Sequence, residues 1–200
     1  MRRGRTDAGV NALAQIANFI TNSDIAVEKF PFAINSKLKK TIRIKSAVQV
    51  PDSFHSRYSV KEKTYRYTIN NSEQGTAIYR DMEYHFPIKI DVKKMQEAIK
   101  YFEGEHDFSA FKASGTSNKN SVRTIYKTKL WHEGDRIYIE ITGNGFLYNM
   151  VRIIVGTLLE VGQGKIKPNT IPSIIESKDR SLAGKTLPAN GLCLMEVKYE

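Results

Sequence analysis

From Phe146 to Val161 the chain reads FLYNMVRIIVGTLLEV, an apolar run long enough for a buried helix and closed by Gly162. A buried helix must be covered by other elements, so this run demands a layered fold. Arg152 and Glu160 interrupt it, and no apolar run in the chain reaches membrane-spanning length. Arg152 is the anomaly. A guanidinium inside so apolar a helix is costly unless it meets a carboxylate or phosphate, or its stem carries the charge to the surface.

The covering layer is legible as strands. Tyr65, Tyr67 and Ile69 share one face of a strand over Lys63–Ile69, while Thr64, Arg66 and Thr68 take the other. Thr124–Trp131 and Arg136–Thr142 read as a strand pair around His132-Glu133-Gly134-Asp135. Leu192–Tyr199 reads as a last strand, and Thr41–Val50 alternates like another. Asp91 caps an expected helix with the stripe Val92, Met95, Ala98, Ile99 and Phe102, stopped by Gly104. Ile171–Ser177 is a short helix, and Ala14–Ile20 fits helix or strand equally well. Hairpins beside helices indicate an α+β fold with largely antiparallel sheets, with any boundary between halves near Pro51–Lys63.

Charge points to a polyanion. Lys and Arg number 31 against 21 Asp and Glu, a net charge of +10. Two stretches carry bases and no acid: Ser36–Lys45, and Phe108–His132 with Lys112, Lys119, Arg123, Lys127 and Lys129. Such runs suit a phosphate-binding surface, with nucleic acid the first candidate partner. The lone Cys193 excludes an internal disulfide framework and a cysteine-based zinc cluster. The four histidines, His55, His85, His106 and His132, have no metal-ligand spacing. Walker A, dinucleotide-fingerprint and nucleophile-elbow patterns are missing. No apolar segment follows the basic start, so no secretory signal is visible.

One polar loop remains, Gly4-Arg5-Thr6-Asp7-Ala8-Gly9, a single carboxylate beside an arginine. Read alone it is a turn or a reactive loop. Extended to GRTDAGV it resembles the active-site signature of the tRNA pseudouridine synthase A family. The resemblance continues in order through FHSRYSV (54–60), KTYRYTI (63–69), GEHDFSAF (104–111), GNGFLYNMVRIIVGTLLEVG (143–162) and GLCLMEVKY (191–199), covering nearly the whole chain.

The resemblance implies a pseudouridine synthase fold: two α+β halves like the RNA-recognition fold, with joined antiparallel sheets and a cleft between them. The halves would be a remnant over 1–58 carrying the loop and a second half over 59–200. It implies isomerisation of uridine to pseudouridine at positions 38 to 40 of the tRNA anticodon stem-loop, with no metal or other cofactor. Asp7 would be the nucleophile. Arg152 would orient Asp7 and favour its ionised form, Tyr65 would stack on the extruded uracil, Arg5 would act near the base, and Arg57 would hold phosphate. The partners would be tRNA and a second copy of the chain, in the cytoplasm. Two departures stand out. Asn11 occupies a position that is usually His, and members usually carry a strand and helix ahead of this loop. The expectation is therefore an incomplete first half and weak activity, with a non-catalytic RNA-binding fragment as the alternative.

The charge pattern makes a prediction of its own. If about six phosphates are contacted, log K for tRNA falls with log salt at a slope of roughly −4 to −6. Binding isotherms across a salt series check this, and a flat dependence would assign the charge to solubility.

Overall fold

The computed structural model describes residues 6–115 and 120–199, and the backbone of Arg2–Arg3. Its strands are β1 (Arg2–Arg3), β2 (Asn11–Ala12), β3 (Ala17–Asn18), β4 (Glu62–Asn70), β5 (Tyr84–His85), β6 (Gly104–Asp107), β7 (Val122–Glu133), β8 (Arg136–Gly143) and β9 (Leu192–Lys198). Its α-helices are α1 (Phe30–Asn35), α2 (Val92–Ile99), α3 (Met150–Gly162) and α4 (Ile171–Ser177). The contacts divide them into two units. The smaller holds β1 and Ile16–Ser59; the larger holds the segment up to Gln15 and the chain from Val60 onward.

The larger unit is built on a seven-stranded sheet in the order β2-β9-β4-β8-β7-β6, with β5 paired to β4. The class is α+β, as expected. The sheet is largely antiparallel, with short parallel pairings of β2 to β9 and of β5 to β4. Helices cover one face because the strands alternate. Ile137, Ile139 and Ile141 of β8 and Tyr67 and Ile69 of β4 are buried, as are Met95 and Ala98 of α2 and most of α3. Each buried isoleucine contributes about 1.5–3 kcal/mol. The Asp91 side chain accepts from Lys94 N (3.2 Å), and Asp91 N donates to Gly162 O (2.9 Å), which ties the start of α2 to the end of α3. On the opposite face Thr64 meets Thr142, and Arg66 pairs with Glu140 at 2.6 Å over the stacked rings of Trp131 and Tyr138.

The smaller unit pairs β1 with β3, antiparallel, and carries α1. Here the expected strand over Thr41–Val50 does not form. The alternating pattern finds no ladder, and Val48 and Ile42 stay exposed. The Asn35 side chain supplies a local substitute, accepting from Ile44 N (2.8 Å) and donating to Ile44 O (2.9 Å). Within Ala14–Ile20, β3 resolves the ambiguity in favour of a strand.

Gly191 shows how closely the larger core is packed. A Cβ there would lie 2.6 Å from Cε1 of Tyr67, whose ring is fully buried and whose hydroxyl donates to Pro188 O (2.7 Å). We predict that Gly191→Ala costs about 1–3 kcal/mol. Urea unfolding followed by circular dichroism measures it, and a change within about 0.5 kcal/mol, typical of surface substitutions, would contradict this packing.

Candidate active site

The polar loop that carries Asp7 is held by the sheet. Val10 N donates to Asp7 O (3.1 Å), closing a turn, and Gly9 takes φ +79°, a conformation that glycine tolerates. Directly after the turn, β2 lies parallel to β9, with Asn11 opposite Cys193 and Ala12 opposite Leu194, and Leu13 N donates to Leu194 O (2.8 Å). Asn11, at the position usually held by His, spans two carbonyls: Nδ2 donates to Asp81 O (2.8 Å) and Asn190 O (3.2 Å). Asn190 in turn donates to Arg80 O and Glu83 O.

β9 also places Tyr65, which sits opposite Leu194 on one side and Ile141 on the other. The β4–β9 register shifts between Thr64 and Tyr65, the kind of irregularity that re-aims a side chain. Asp7 and Tyr65 thereby line one cleft of about 140 Å³. Thr6 and Val10 join them from the loop, Lys63 from β4, Leu192 from β9, and 146–151 from the turn before α3 and its first two residues. Phe146 meets Tyr65 edge to face, 5.3 Å between centroids. Burial, and then the Asp7 charge, push the Tyr65 phenol from 10.0 up to about 12. Tyr65 is therefore a neutral hydroxyl at physiological pH.

The other expected site residues lie as follows. Arg152 is half-buried on α3 and forms no ion pair with Asp7 among the described residues. It donates from Nε to Leu187 O (2.6 Å) and from Nη1 to Asn149 Oδ1 (2.6 Å). It thus holds Asn149, a cleft residue at φ +60° where α3 begins, and the segment leading to Asn190. Arg57 is exposed in the smaller unit, its guanidinium 5.4 Å from the Tyr58 ring centroid. Arg5, and Lys119 of the second acid-free stretch, lie outside the described residues. Lys63, Phe146 and Asn149 were missed as site residues. For Lys63 the signal existed, since it stands two residues before Tyr65 and strand alternation puts both on one face. Among the described residues no cluster of three or more His, Cys, Asp or Glu side chains could hold a metal ion, and no helix is long and apolar enough to cross a membrane.

Comparison with known proteins places the chain in a family. A family model described as tRNA pseudouridine synthase matches residues 2–59 and 98–200. The chain belongs to this family. It is 54% identical over 195 residues to tRNA pseudouridine synthase A of Acetivibrio thermocellus, covering 98% of the chain and 80% of that protein. It is 54% identical to the Caldicellulosiruptor saccharolyticus protein of the same name, and 51% identical to tRNA pseudouridine synthase A 2 of Clostridium perfringens, with the same coverage. The family is one of isomerases, and its two matched stretches include both the Asp7 loop and α3.

The Tyr65 environment sets a pH dependence. A phenol that titrates at about 12 when folded and 10.0 when unfolded stabilises the fold fully below pH 10. That contribution, about 2–3 kcal/mol, is lost as pH rises from 10 towards 12. We predict that Tyr65→Phe makes the alkaline fall in stability shallower, read by urea midpoints between about pH 9 and about 12. A variant with the parent's slope would show that Tyr65 titrates normally.

Proposed function

We propose that this chain converts uridine to pseudouridine in tRNA, at positions 38 to 40 of the anticodon stem-loop. The observation that carries the reading is a carboxylate and a phenol, Asp7 and Tyr65, meeting in one cleft of a chain of this family. The target nucleotide is extruded from its stem-loop, at a cost of a few kcal/mol that phosphate contacts offset. Tyr65 and Phe146 form an aromatic wall for the uracil, worth about 1–3 kcal/mol in stacking.

Asp7 then attacks as an anion, at C1′ of the sugar or at the uracil ring. The bond from C1′ to N1 breaks and N1 gains a proton, the uracil turns, C1′ joins C5, and the Asp7 carboxylate is released unchanged. The C5 proton leaves to solvent, matching the one taken up at N1, so atoms and electrons balance without an oxidant or reductant. Tyr65, neutral below about pH 12, offers a hydrogen-bond donor and a face rather than a ready-made base. Arg152 serves by position, through its bonds to Leu187 and to Asn149, which lines the cleft. Arg5 and Arg57 are read as base- and phosphate-side contacts on the resemblance alone, and so are a cytoplasmic location and a homodimer.

The test is release of tritium from C5-labelled uridine in unmodified tRNA. We predict that Asp7→Asn abolishes release while tRNA affinity stays within tenfold of the parent, about 1.4 kcal/mol. Substantial release by the Asn variant removes Asp7 from the mechanism. A parent that binds tRNA and releases nothing favours the RNA-binding alternative.

A further inference from the structure

Arg123 stands within the second acid-free stretch, where β7 enters the sheet. Lys63, Gly143 and Ile125 are paired across β4, β8 and β7 and so form one row on one face. Arg123 lies two residues before Ile125, on that same face and just past the end of β8. Its side chain lies against the turn that leads into the cleft: a Cβ on Gly145 would be 3.8 Å from Arg123 Nε. The next residue, Phe146, is the ring packed against Tyr65. Lys63 and Arg123 therefore border Phe146 from two strands.

The guanidinium is held by one nitrogen only. Nη1 donates to Val122 O (2.5 Å) and Asn120 O (3.2 Å). Nε and Nη2 have no acceptor, and no carboxylate lies within ion-pair distance, among the described residues. The free edge is the fork that takes two oxygens of one phosphate. Partial burial pushes the guanidinium below its usual range, so the charge has lost water without gaining an anion. Neighbouring backbone runs along the same wall, since Ala113 N donates to Tyr148 O (3.1 Å) and Tyr148 lines the cleft.

We propose that Arg123 is a phosphate seat, binding through Nε and Nη2 a phosphodiester of the RNA strand beside the nucleotide held in the Asp7–Tyr65 cleft. The proposal rests on the reading of that cleft as the uridine site. It gives the acid-free stretch a specific role, fixing the strand on the far side of Phe146 while the base is extruded.

The test uses the full chain and a fluorescein-labelled, unmodified anticodon stem-loop RNA, with binding read by anisotropy over a salt series. Arg123→Gln is expected to weaken binding roughly five- to twentyfold and to make the log K against log salt slope shallower by about 0.7–0.9, one phosphate's share. Arg123→Lys, which keeps charge and loses the fork, is expected to restore most of the slope but only part of the affinity. One neutral methylphosphonate next to the target uridine is expected to reproduce the loss in the parent and to add little in Arg123→Gln. An unchanged salt slope in Arg123→Gln overturns the seat, including when the melting temperature falls, because that is the signature of a residue that only braces backbone carbonyls. Fully additive losses overturn it as well. Tritium release by the parent, measured in parallel, separates the two ideas. No release defeats the uridine-site reading, whereas release with an unchanged slope defeats the seat alone.

Discussion

Leu194 pairs with Ala12 on one side and with Tyr65 on the other, and the site depends on that double pairing. A residue near the end of the chain lies between one near its start and one in the first long strand. The short parallel seam of β2 turns a polar loop into part of a sheet. Loops placed on a rigid scaffold are where reactive groups are most useful, because misplacement by about 1 Å can cost roughly a hundredfold in rate. Asn11 and Asn190 extend the seam with side-chain bonds to backbone carbonyls, and Arg152 secures Leu187 a few residues upstream.

The seam has an electrostatic consequence. It brings the Asp7 carboxylate close enough for Tyr65 to feel its charge, in surroundings that already disfavour a phenolate. Tyr65 thereby remains a protonated aromatic face beside a carboxylate. Phe146 packs edge to face against Tyr65, and α3 begins at Met150. The helix start is shaped by Asn149 in a left-handed conformation, its side-chain oxygen held by Arg152 rather than capping the helix.

Much of this was legible from residue order because local and global signals agree. The alternation in β4 and β8, the Asp91 cap, the Gly104 stop and the short helix Ile171–Ser177 all follow from patterns that tertiary packing then reinforces. Thr41–Val50 fails for the opposite reason. Its alternation is real, but a strand needs a partner, and the Asn35 amide satisfies Ile44 instead. The long apolar run begins its helix at Met150 rather than Phe146, because 146–149 turn into the cleft wall. Arg152 was recognisable as an anomaly, yet its acceptors, a backbone carbonyl and an asparagine, could not be read from spacing. Asp7 was legible only through the resemblance, since one acid in a turn has no periodicity to betray it.

The central claim is that the sheet delivers Asp7 to Tyr65 so that the two act as one centre. Its most direct measurement is the titration of the Tyr65 phenol by NMR of carbon-labelled tyrosine, assigned with Tyr65→Phe, in the parent and in Asp7→Asn. The account predicts a midpoint near 12 in the parent, moving down when the carboxylate is replaced while staying above 10 because burial remains the larger cause. A midpoint that does not move on replacing Asp7 would contradict the claim that the loop and the strand form one site.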